Sequence, residues 1–244
     1  MSKLQGKVAV VTGAGRGIGR AISLGFAQAG ASICCAARTM TEIEAVADEI
    51  NATDGGRAIA VPTDVTDLAS VAAMFERVQT ELGGLDILVI NAGAGSDKRT
   101  VEEGNPEDWV ATINVNLTGA YYCARAAIPY LKQRGTGKII TIGSGLGHRG
   151  TAERSSYACS KAGLWMLTRV LAQELWPHNI SVNELIPGPV DTSMTPETAD
   201  WAYRLGESEW LKKPEDVVPL ALFLATQPDV GPTAQSFNLM RRDG

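Results

Sequence analysis

Short apolar runs rich in β-branched residues alternate along the whole chain with stretches whose apolar positions recur every three or four residues. Runs of the first kind are the mark of strands buried on both faces, and the second kind marks helices. The pattern predicts strands near 7–12, 32–37, 58–62, 86–90, 137–143, 180–186 and 235–239, with helices over 17–29, 40–51, 67–82, 106–134, 155–176 and 214–226. In the fifth of these helices Leu164, Leu167, Leu171 and Leu175 form a single stripe, and the helix stops ahead of Pro177 because proline disfavours a helical residue before it. Strand and helix in alternation imply an α/β fold, a doubly wound parallel sheet with helices on both faces. Two stretches, 94–105 and 192–210, lack a clear period. Both follow strand ends on the side where such sheets bind ligands, which makes them candidate substrate walls.

Chemistry concentrates at the strand ends. Val8-Ala9-Val10-Val11 runs into Thr12-Gly13-Ala14-Gly15-Arg16-Gly17-Ile18-Gly19 and then into a helix. Strand, glycine turn and helix present backbone N–H groups and a helix N-terminus to a pyrophosphate. The spacing departs from G-x-G-x-x-G, since Ile18 stands where the last glycine would fall. The fourth strand ends in Asn91-Ala92-Gly93, and the fifth delivers Ser144. Tyr157 and Lys161, four residues apart, share one helix face. A cation that close favours the phenolate, so the pair is expected to bring the Tyr157 pKa down toward working pH for acid–base work on a carbonyl or alcohol.

These pieces together resemble the classical short-chain dehydrogenase/reductase family. The matching segments are Thr12-Gly13-x-x-x-Gly17-x-Gly19, Asn91-Ala92-Gly93, Asn116 within Asn114-Val115-Asn116-Leu117, Ser144, Tyr157-x-x-x-Lys161 and Pro187-Gly188-Pro189-Val190-Asp191-Thr192, in family order. One departure is Ile90, where the family usually has an asparagine. The resemblance implies a Rossmann fold of seven parallel strands, one domain over 1–244, with a cofactor half at about 1–140 and a catalytic and substrate part at about 141–244. It implies Tyr157 as general acid, Ser144 as donor to the carbonyl oxygen, Lys161 as tuner of Tyr157 and holder of the nicotinamide ribose, and Asn116 as the holder of a water beside the lysine. By the same likeness Val190 and Thr192 bind the carboxamide, within a turn that includes Pro187 and Gly188. Asp64 and Val65 resemble an adenine-contacting turn; a helix cap is the other reading of Asp64.

The second strand ends in Ala37-Arg38, with alanine where NAD-binding folds carry an acid, and Arg16 adds a cation from the glycine turn. Guanidinium groups pair with phosphate, so NADP(H) is the expected cofactor. A solvated surface charge is the other reading of Arg38.

Composition narrows the rest. A net charge of −5 with no basic run argues against nucleic acid, and no apolar stretch is long enough to span a membrane. The N-terminus leads straight into the first strand, so a cytoplasmic protein is expected, with Cys34, Cys35, Cys123 and Cys159 reduced. Packing is the expected role of Cys159. His148 is either a substrate contact or a bystander, and Trp201, Tyr203 and Trp210 form either an aromatic lid or an oligomer contact. The expected activity is reduction of a small ketone or aldehyde by a homotetramer, with no metal. The alternatives are a 3-oxoacyl-[acyl-carrier-protein] reductase and an inactive NADP-binding regulatory protein.

Overall fold

The structure, a computed structural model, describes residues 3–95, 98–193 and 210–240. Its seven strands are β1 (Val8–Thr12), β2 (Ser32–Ala37), β3 (Arg57–Pro62), β4 (Ile87–Ile90), β5 (Gly137–Ile142), β6 (Ile180–Ile186) and β7 (Ser236–Asn238). They form one parallel sheet in the order β3-β2-β1-β4-β5-β6-β7. The helices are α1 (Gly17–Gln28), α2 (Met40–Asn51), α3 (Leu68–Leu82), α4 (Pro106–Ile113), α5 (Gly119–Arg134), α6 (Ser155–Leu175) and α7 (Val218–Ala225).

The continuous apolar runs have a plain cause. In β1 every residue is buried, and successive side chains point to opposite faces. Val8 and Val10 enter a core with Phe75 of α3, Leu131 of α5 and Leu164 and Leu171 of α6. Ala9 and Val11 enter a second core with Ile22 and Phe26 of α1, Ile43 of α2 and Leu224 of α7. Because β1 pairs with β2 on one side and β4 on the other, the winding reverses there. A crevice opens at the C-terminal ends of β1 and β4, the usual ligand position in such sheets.

Predicted and observed elements agree to within a residue or two at most ends. The helix expected over 106–134 is the main exception. Residues Asn114–Thr118 form a π turn between α4 and α5, with the N–H of Gly119 reaching back five residues to the Asn114 carbonyl. Residues 176–178 and 214–217 are 3₁₀ turns rather than α-helix. Among the described residues, no helix is long and apolar enough to cross a membrane.

Candidate active site

The glycine turn is tied to the end of β4 by reciprocal bonds. The Thr12 hydroxyl donates to the Val89 carbonyl (3.3 Å) and accepts from the N–H groups of Asn91 and Ala92 (3.0 Å each). The Asn91 amide in turn donates to the carbonyls of Thr12 (2.8 Å) and Gly13 (3.2 Å). Helix α1 starts so close to this turn that a Cβ on Gly19 would lie 2.2 Å from the Gly13 oxygen. Above the turn lies a cleft of about 200 Å³. Gly13, Gly15, Arg16, Gly17, Ile18, Arg38, Asp64, Val65, Asn91, Ala92, Gly93 and Thr192 all line it.

Arg16 and Arg38 are exposed at the cleft, and Arg16 pairs with Glu42 at 3.5 Å. Asp64 accepts from the N–H (2.9 Å) and hydroxyl (2.7 Å) of Thr66, bonds that hold its carboxyl below the ordinary value. The cap of α3 is Asp67, whose side chain accepts from Ala69, so the capping reading of Asp64 falls away. Pro187, Gly188 and Val190 lie outside the cleft lining; Val190 bridges to Lys212 and carries the chain toward Thr192.

Helix α6 and the π turn bring Lys161 and Asn116 up to Gly93 of the cleft lining. A Cβ on Gly93 would lie 3.4 Å from Asn116 Oδ1 and 4.0 Å from Lys161 Nζ. The Lys161 ammonium is buried, donates to the Ile142 carbonyl at 2.8 Å, and sits 5.8 Å from the centre of the Tyr157 ring. Two residues beyond Ile142, Ser144 acts on the Tyr157 phenol, and its hydroxyl accepts from the Leu146 N–H at 3.3 Å.

The electrostatics correct one expectation. Burial raises the Tyr157 phenol above its ordinary value, outweighing the lowering by the Ser144 hydroxyl and the Arg154 charge. Lys161 is not the group that brings the phenol down. Its own pKa is lowered by burial to about 8, with Glu184 the opposing charge. Asn116 lies in the π turn with its amide engaged. Oδ1 accepts from Ala94 N–H (2.7 Å), while Nδ2 donates to the Ala94 carbonyl (3.1 Å) and to Ser160 (3.0 Å).

Comparison with known proteins agrees with this geometry. Residues 7–202 match the short chain dehydrogenase family. The chain belongs to that family. A short-chain type dehydrogenase/reductase from Picea abies is 38% identical over 235 residues, covering 91% of this chain and 87% of the relative. A solved short chain dehydrogenase from Burkholderia cenocepacia J2315, in complex with NADP, superposes with a TM-score of 0.91 at 34% identity, covering 99% of each chain. A 3-ketoacyl-(acyl-carrier-protein) reductase from Brucella melitensis, complexed with NADH, gives 0.89 at 31% identity over 97% of each. Other relatives carry the name 3-oxoacyl-[acyl-carrier-protein] reductase. The short-chain dehydrogenase/reductase is therefore an oxidoreductase of a family that binds a nicotinamide cofactor. Its residues fit such a group: the cleft lies at the sheet's switch point, is floored by glycines and carries two guanidinium groups.

Several features of this dehydrogenase/reductase escape a reading of the sequence. Glu42, from α2, lines the cleft and engages Arg16, 26 residues away. His148 bonds Glu184 at 2.9 Å. Glu184 is fully buried, and the visible signal was a charged residue inside the apolar run of β6. Cys159 is exposed, contrary to a packing role, whereas Cys34, Cys35 and Cys123 are buried; all four are free thiols. Trp210 packs under Lys212, 3.8 Å from ring centre to Nζ, while Trp201 and Tyr203 lie outside the described residues.

Proposed function

We propose that this protein is an NADPH-dependent reductase of ketones and aldehydes. The observation that carries the reading is the grouping of Ser144, Tyr157 and Lys161, with the Lys161 ammonium 4.0 Å from where a Cβ on Gly93, a residue of the cleft lining, would stand. Bound cofactor supplies the hydride. Tyr157 supplies the proton: burial keeps the phenol protonated until the carbonyl oxygen gains charge. Ser144 donates a hydrogen bond to the same oxygen, where negative charge develops. Ser144 and the Arg154 charge favour the phenolate left behind, and Lys161, by family likeness, holds the nicotinamide ribose. Asn116 ties Ala94 to Ser160 of α6 and is the position assigned to a water in relatives. By family likeness Val190 and Thr192 would hold the carboxamide, with Pro187 and Gly188 in the same turn; of the four, Thr192 lines the cleft.

Preference for NADP(H) rests on Arg16 and Arg38 at the cleft and on Ala37 where an acid would bind a 2′-hydroxyl. Association as a homotetramer is supported by exposed apolar side chains on two neighbouring helices, Tyr121 on α5 and Met166 and Val170 on α6. The cytoplasm is the compartment that four free thiols suit.

A second reading, reduction of 3-oxoacyl chains on a carrier protein, is favoured by the names of several relatives. Against it, acidic carrier proteins need a basic docking surface. His178 stands where related carrier-protein reductases place an arginine. The nearby cations are engaged within the chain: Arg134 lies 3.8 Å from Asp86, and Arg169 donates to the Ala234 carbonyl and stacks on Trp165. The test compares kcat/KM for carrier-linked 3-oxoacyl substrate with that for simple aryl and alkyl ketones, using NADPH. Preference for simple ketones is expected; a carrier preference that salt abolishes would reverse the assignment. Absence of NADPH consumption with every carbonyl would leave the regulatory alternative.

A further inference from the structure

All seven residues of β6 are buried, and Glu184 among them is completely enclosed. A carboxylate in that position persists only with partners. Its Oε2 has two, His148 Nε2 at 2.9 Å and the Ser236 hydroxyl at 2.5 Å. Its Oε1 has no hydrogen-bond partner. That atom lies only 1.9 Å from where a Cβ on Gly143 would stand, so glycine at 143 makes room for it. Gly143 separates Ile142, whose carbonyl takes the Lys161 ammonium, from Ser144. Gly147, next to His148, packs on the backbone of Lys161, where a Cβ would come within 2.7 Å. Glu184 thus lies beneath the turn that carries Ser144 and beside the lysine.

No step of the proposed reaction uses this carboxylate. We propose that Glu184 is a positioning residue: its buried charge keeps Lys161 as an ammonium ion, and its bond to His148 holds the Ser144 turn in place. The role of Lys161 in catalysis rests on the reductase reading; the pairing of Glu184 with Lys161 does not. Burial pushes the ammonium toward its neutral form, and Glu184 opposes that push. Among the described residues, three cations lie around this group. Arg149 flanks His148 at a cavity of about 400 Å³, Arg154 acts on Tyr157, and Arg169 stacks on Trp165, whose ring lies 4.8 Å from that of His148. His148, with its side chain 29% exposed, links the buried carboxylate to solvent.

The decisive variant is Glu184→Gln, nearly equal in size. Lys161 is titrated in ¹³C-lysine-labelled protein by NMR, and the pH profile of kcat/KM is recorded alongside. The Lys161 titration is expected to fall by about one pH unit or more, and the alkaline limb of the profile to move with it. Glu184→Asp should restore most of both. An unchanged Lys161 titration in Glu184→Gln overturns the assignment, whatever the activity. A shifted titration in a protein that reduces no carbonyl upholds the pairing and defeats the reductase reading instead. Should Glu184→Gln fail to fold, the carboxyl ¹³C shift of Glu184 in the wild-type protein decides. A carboxylate at pH 7 upholds the assignment, and a carboxylic acid overturns it.

Discussion

Replacing Lys161 with methionine should remove a pH dependence of stability as well as turnover. The lysine is 4% exposed, and burial lowers its ammonium from the ordinary 10.5 to about 8. The folded-state value lies below the unfolded one, so between the two limits the unfolded chain binds more protons. Below pH 8 both states are protonated, and the full cost of burying the charge is present. The cost fades as pH climbs from 8 toward 10.5. At 1.36 kcal/mol per unit it amounts to roughly 3 kcal/mol at pH 7 and roughly 1.4 kcal/mol at pH 9.5. Methionine also strips the Ile142 carbonyl of its 2.8 Å donor. That loss, on the order of 1–3 kcal/mol, is the same at both pH values. The stability of Lys161→Met relative to wild type should therefore drop by roughly 2 kcal/mol between pH 7 and 9.5. Urea denaturation of both proteins at the two pH values measures it. A relative stability that stays constant to within about 0.5 kcal/mol would refute the reasoning.

Glu42→Gln frees Arg16 from a partner that competes with phosphate, so NADPH should bind about two- to fivefold more tightly while NADH is little changed, read by fluorescence titration. Ala37→Asp with Arg38→Leu supplies an acceptor for a 2′-hydroxyl and removes a phosphate partner. The NADPH-to-NADH ratio of kcat/KM should fall at least about tenfold, and a wild-type protein that already prefers NADH would sink the cofactor assignment. Light scattering at micromolar concentration should return the mass of four chains; a monomer mass would remove the tetramer.

The fold was legible because strands buried on both faces need uninterrupted apolar runs, and the Leu164–Leu175 stripe carries the helical period without ambiguity. The candidate site was legible where its chemistry is local in sequence, as with Tyr157 and Lys161 on one helix face. What depends on depth or on distant partners was not. Spacing places an ammonium near a phenol but says nothing of how far both are buried, and burial decides the direction for Tyr157. The π turn at Asn114–Thr118 inserts into a helix whose composition reads as continuous. Glu42 meets Arg16, and Glu184 meets His148 and Ser236, only because the sheet brings separate segments together.

The central claim is that Tyr157 gives the proton in an NADPH-dependent carbonyl reduction. Tyr157→Phe keeps the ring and leaves the glycine cleft intact, so single-turnover and steady-state reduction of an activated ketone, paired with an NADPH binding titration, tests it most directly. Turnover should fall by a factor on the order of 10² to 10⁴ with NADPH affinity retained. Near-wild-type turnover in that variant would contradict the account.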